Sequence, residues 1–261
     1  MWYRGEGFGG WQAQPGIRTA QAVLAQALHT RGSAARPMAA GRTDRGVHAR
    51  CQPVSVRLPR EVELQPLSSV GEADWGILLA VPAPPGFHAQ WSAAWKEYRY
   101  RLALGPVPRG WTGLAWEVAE HPRLSGVRLD VTALATALER ARGARDFSAF
   151  HAASSVRRTR TLLETAVTQA GSLVEVRLHG DAFGRYGVRL LVGGAALVAA
   201  GQLSLDAWDA ALAGEARIEG LRAPASGLTL WEVGYPPALD PFAGHLAAVP
   251  EFPPFAAVTQ A

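Results

Sequence analysis

Three stretches of this chain alternate apolar and polar residues with a period of two. In VSVRL (54–58), Val54, Val56 and Leu58 alternate with Ser55 and Arg57. In KEYRYRLAL (96–104), Tyr98, Tyr100 and Leu102 share one face while Arg99 and Arg101 take the other. In LVEVRLH (173–179), Val174, Val176 and Leu178 alternate with Glu175, Arg177 and His179. Successive side chains of a strand point to opposite faces, so each run describes a strand with one buried face. WGILLAV (75–81) reads as a buried strand, and TLLETAVTQ (161–169) and LTLWEVGY (228–235) read as further strands. Helical spacing falls between them. Ile17, Ala20, Leu24, Ala27 and Leu28 make one face of a helix over 17–31, with Gly32 as its stop. Asp130 caps a helix running to about Arg142, with Leu134, Leu138 and Ala141 inward and Gly143 as terminator. A long apolar helix spans about 183–200, and a short one about 206–213. Helices set against mainly antiparallel sheets give an α+β fold. The turn-rich GPVPRGWTG (105–113) divides it into halves, 1–104 and 105–235, with a Pro-rich flexible tail over 236–261.

With 48% hydrophobic and 18% charged residues, the 261-residue chain is globular rather than disordered. The net charge is +4, and Lys96 is the one lysine, so 25 of the 26 basic residues are arginine. Arginine suits bidentate phosphate contacts and stacking on bases, which is compatible with a nucleic-acid partner. Cys51 is the single cysteine, so no intramolecular disulfide forms, and no Cys/His cluster has zinc-site spacing. The longest apolar run, LLVGGAALVAAG (190–201), is too short to span a bilayer, and the N-terminus has no signal-peptide core. The expectation is a soluble cytoplasmic protein without cofactor or metal. GEGFGG (5–10) has dinucleotide-fingerprint spacing, yet it follows no full strand and opens no helix, so that reading is rejected.

AGRTDRGVHAR (40–50) is where chemistry concentrates. Asp44 stands among Arg42, Arg45, His48 and Arg50, between Gly41 and Gly46. An Asp in such a loop is commonly a turn residue. A neighbouring guanidinium, here Arg42, keeps a carboxylate ionised and oriented, fit to act as nucleophile or base. His48 could serve as an acid, a base or a structural side chain. Arg189 lies in an otherwise apolar helix and needs a partner, since an unpaired buried guanidinium is costly. Tyr98 and Tyr100 offer flat rings beside cations, either for stacking a base or for packing a core.

Six stretches, in order, resemble the tRNA pseudouridine synthase A (TruA) family: FGGWQAQPG (8–16), AGRTDRGVHAR (40–50), FHAQWSAAWKEYRYRL (87–102), GARDFSAFHA (143–152), FGRYGVRLLVGGAAL (183–197) and APASGLTLWEVGY (223–235). The resemblance implies two α/β halves flanking a central RNA-binding cleft. It implies isomerisation of uridine to pseudouridine in the anticodon arm of tRNA, around positions 38 to 40, by a homodimer. By match, Asp44 is the catalytic aspartate, Arg42 and Arg189 position it and accompany base extrusion, and Tyr98 stacks on the target uracil. Arg45 and His48 flank the aspartate as substrate-binding candidates. Arg45 replaces the family's usual alanine, and Leu190 a flanking polar residue. Only Met1 and Trp2 precede Tyr3, so the resemblance implies a shortened first strand. The alternative is a non-catalytic tRNA-binding protein on the same scaffold. A hydrolase using Asp44 lacks a second positioned acid or base.

Overall fold

The structure, a computed structural model, describes residues 1–59, 62–150, 159–216, 222–243 and 245. They form helices and sheets of an α+β protein, grouped into two units: Met1–Lys96 with the chain returning from Thr229, and Glu97–Leu228. Most of the Pro-rich tail expected over 236–261 lies outside the described residues.

In the first unit, Gly71–Glu72, Trp75–Gly76, Trp2–Tyr3, His48–Ala49 and Leu228–Gly234 lie side by side in that order. The first three junctions are antiparallel, whereas Leu228–Gly234 runs parallel to His48–Ala49, with Thr229 opposite His48. The first helix is Ala20–His29, shorter than its apolar spacing suggests. Thr19 is extended and its side chain accepts the Ala22 N–H, which fixes the start there. Ile17 is left 46% exposed outside the helix, while Leu24 and Leu28 are buried.

Two expected strands are also cut short. VSVRL keeps only Val54–Ser55, paired with Met38–Ala39, and WGILLAV keeps only Trp75–Gly76. Ile77–Val81 are half-buried and line a cavity of about 670 Å³ with Val54, Val56, Leu58, Leu24 and Leu28. A strand persists only where its backbone groups find a neighbour, and beyond Gly76 no described strand lies alongside.

The second unit places Trp95–Ala103, Leu173–Gly180, Thr159–Ala170 and Gly143–Asp146 in sheet order. The Leu173–Gly180 and Thr159–Ala170 pair is a long antiparallel hairpin closed at Gly171, whose φ is 58°. Helices Val131–Arg140, Gly187–Ala199 and Leu205–Leu212 pack together. Asp130 caps the first of them by accepting from Thr132 and Ala133 N–H. Gly194 makes the helix contact close: a Cβ there would sit 2.6 Å from the Trp208 ring. The Trp208 indole donates to Ala137 O at 2.8 Å, so the buried ring carries no unsatisfied N–H.

The polar face of KEYRYRLAL is not a wet face. Arg101 is fully buried, and its guanidinium meets Glu175 at 2.9 Å and lies over Trp111 at 4.6 Å. Arg99 bridges Glu97 at 2.9 Å and Glu175 at 3.3 Å. Burial pushes the Arg101 guanidinium down to about 10, with Glu175 pulling the other way. A buried charge is tolerable only with its counter-charge in place. Glu175→Ala should therefore destabilise the protein by about 3–5 kcal/mol, read from denaturant melts. The paired change Arg101→Met with Glu175→Leu should cost distinctly less, because it leaves no orphaned charge. Equal losses from both variants would contradict this account.

Candidate active site

The glycine-rich start of the chain is a cradle for the Asp44 loop. A Cβ on Gly10, whose φ is 95°, would meet Thr43 O at 2.7 Å and Arg45 N at 3.0 Å. One on Gly5 would meet Val47 O at 2.4 Å. Only glycine permits that approach, and only glycine takes the left-handed φ at Gly10 without strain. The contact is fixed by Trp11 N–H donating to Thr43 O at 3.0 Å and Gly46 N–H donating to Phe8 O at 3.3 Å. The residues that match a dinucleotide fingerprint in spacing thus hold a loop of their own chain.

The loop is pinned at both ends. Gln52 donates its amide to Gly41 O at 2.7 Å and to the Tyr3 hydroxyl at 3.3 Å. The Tyr3 and Thr43 hydroxyls share a 2.9 Å hydrogen bond, and desolvation raises the Tyr3 phenol to about 12. Lys96 donates to Ala40 O at 2.8 Å. Asp44 opens a tight turn, with its carbonyl accepting Val47 N–H at 3.1 Å and Gly46 supplying a φ of 83° at the third position. The Asp44 side chain is half-buried at this turn, between the exposed Arg42 and Arg45. Arg42 is exposed and makes no hydrogen bond or ion pair among the described residues. His48 is fully buried, and its Nδ1 accepts the Gly5 N–H at 3.0 Å. That bond puts the imidazole proton on Nε2 and ties the loop to the glycine segment.

Tyr98 and Arg189 belong to the second unit. Tyr98 stands in the Trp95–Ala103 strand, 8% exposed, its ring edge-on to Phe183 at 5.2 Å. Tyr100, two residues on, is fully buried; its hydroxyl donates to Pro224 O at 2.8 Å, and desolvation raises it well above the ordinary phenol range. Tyr100 is therefore core. Gly227 is required beneath it, since a Cβ there would meet the ring at 2.6 Å. Arg189, buried in the Gly187–Ala199 helix, has as one partner the Ala223 carbonyl, at 2.7 Å from Nε. Its Cζ also lies over the Tyr186 ring at 5.4 Å. The structure thus gathers Arg42, Asp44 and Arg45 on one loop with His48 opening the strand that follows, and sets Tyr98 against Phe183 and Arg189 against Tyr186. Gly5, Gly10, Thr43 and Gln52 act as supports through contacts between residues far apart in the chain, which local spacing does not register.

The loop thus presents a half-buried carboxylate between exposed arginines, and comparison with known proteins gives the family. A tRNA pseudouridine synthase family model matches residues 137–236. The tRNA pseudouridine synthase A of Thermosynechococcus vestitus is 38% identical over 263 residues, covering 96% of this chain and 89% of its own. That of Moorella thermoacetica is 36% identical, covering 89% and 96%, and that of Neisseria gonorrhoeae strain NCCP11945 is 33% identical, covering 90% of each. The chain belongs to the tRNA pseudouridine synthase A family. It is a pseudouridine synthase, an isomerase.

Proposed function

We propose that the chain converts uridine to pseudouridine in the anticodon arm of tRNA, around positions 38 to 40, with Asp44 as its catalytic residue. The observation that carries this reading is the Asp44 loop: a half-buried carboxylate on a loop held by Gln52, Tyr3 and the Gly5–Gly10 segment, with exposed arginines on either side. The chemistry asks for such a group. The N1–C1′ bond of the nucleotide breaks, the uracil turns, C5 bonds to C1′, and the proton lost from C5 is matched by one gained at N1, so the product is an isomer and no electron or water is consumed. Asp44 acts on the ribose, as nucleophile at C1′ or base at C2′. A rigid support matters because a displaced carboxylate loses most of its rate advantage.

In this reading the target base leaves its stack, Tyr98 receives the uracil, and Arg42 and Arg189 support the carboxylate and the extruded nucleotide. Arg45 meets the RNA backbone, and His48 acts on the substrate only through the loop that it holds. The working form is a cytoplasmic homodimer whose subunits share one tRNA. No described helix is long and apolar enough to cross a membrane. Incubation with unmodified tRNA, followed by pseudouridine mapping, should put the product around positions 38 to 40. An unmodified arm with tRNA bound would favour a non-catalytic tRNA-binding protein.

A further inference from the structure

Three guanidiniums converge on one tyrosine ring in the second unit. The Cζ of Arg222 lies 4.6 Å, that of Arg185 4.9 Å and that of Arg189 5.4 Å from the Tyr186 centroid. A ring has two faces, so at least two of these cations share one. Arg189 is buried and its Nε donates to Ala223 O. Arg185 and Arg222 are exposed, and neither makes an ion pair among the described residues. Among the described residues, Arg185 donates to the Tyr186 hydroxyl, at 3.1 Å. Tyr186 itself has a φ of 61°, and it is the one described non-glycine residue with positive φ. It immediately precedes the Gly187–Ala199 helix, in which Arg189 sits. Like charges packed beside a residue in a sparsely populated backbone conformation make an exposed spot that an opposite charge would stabilise.

We propose that Arg185 and Arg222, both held against the Tyr186 ring, clamp one phosphodiester group of the RNA substrate. The inference rests on the tRNA reading above and adds a positioning site to it. Arginine is the side chain suited to this, since its planar fork offers paired donors to phosphate oxygens. The aromatic ring limits the freedom of both guanidiniums, so less is lost when they close on the anion. Both side chains are exposed rather than enclosed, which fits a polymer backbone passing over the surface better than a small captured anion. Arg189, one helical step away, connects the clamp to the residues that the proposed reaction uses.

The test is the salt dependence of tRNA binding by the full chain, measured without turnover. Arg185→Ala with Arg222→Ala should reduce the slope of log K against log salt by about 1, the share of one neutralised phosphate. Affinity at low salt should fall about tenfold, which is about 1.4 kcal/mol. Arg185→Lys with Arg222→Lys should recover most of the slope, because the charge remains. In turnover assays the Ala pair should raise KM with kcat within about twofold. Circular dichroism and thermal melts of both pairs establish that they are folded. A slope unchanged by the Ala pair, or a fall in kcat at constant KM, overturns the clamp. Absence of pseudouridine from the wild type would instead count against the catalytic reading, with the binding slope still deciding the clamp.

Discussion

Asp44→Asn is expected to abolish pseudouridine formation while leaving the protein folded and bound to tRNA. The substitution keeps the side-chain shape and removes the charge, so neither nucleophile nor base survives. The supports of the loop do not depend on the carboxylate: Gln52 holds Gly41, Tyr3 holds Thr43, and Trp11 holds the Thr43 carbonyl. The fold around position 44 should therefore stay as it is. Affinity for tRNA should remain within roughly tenfold, about 1.4 kcal/mol, because phosphate contacts from arginine carry most of it. Measured turnover comparable to the wild type would remove Asp44 from catalysis.

Gly10→Ala should be nearly as damaging, although residue 10 carries no functional group. Its Cβ would press on Thr43 O and Arg45 N, either side of Asp44, from a backbone at φ 95°. The loop must shift or the segment must unwind, and a shift of about 1 Å at a catalytic group costs roughly 10²-fold in rate. Gly32→Ala is the control. Gly32 has φ 83° but nothing within 4 Å of its would-be Cβ, so it carries the backbone strain without touching the loop. We expect kcat to collapse for Gly10→Ala and to hold for Gly32→Ala, with both somewhat less stable to heat. Equal kcat in the two variants would mean that the cradle does not place Asp44.

The sequence made the long hairpin strands legible, because Thr159–Ala170 and Leu173–Gly180 are local neighbours that satisfy each other. VSVRL alternates and WGILLAV is an unbroken apolar run, but a strand needs a partner as well as a pattern, and both shrink to two residues. The parallel pairing of Thr229 with His48 joins residues far apart in the chain and leaves no local mark. Period-two alternation located Arg101 on the polar face correctly, yet could not say that Glu175 and Trp111 would bury it. At the site, Asp44 and Arg189 stood out because charge was out of place among glycines and apolar residues. The loop supports did not, since a glycine chosen for close approach looks like any turn glycine until its neighbour is known. Tyr186 was silent for the same reason: a positive φ leaves no trace in an ordinary tyrosine.

The most direct measurement is position-resolved pseudouridine mapping of unmodified tRNA after incubation with the wild-type chain. A tRNA with uridines at 38 to 40 should gain pseudouridine there, and the same tRNA with cytidine at those positions should gain none in the anticodon arm. Product at other positions in both tRNAs, or bound tRNA with every uridine retained, would contradict the account.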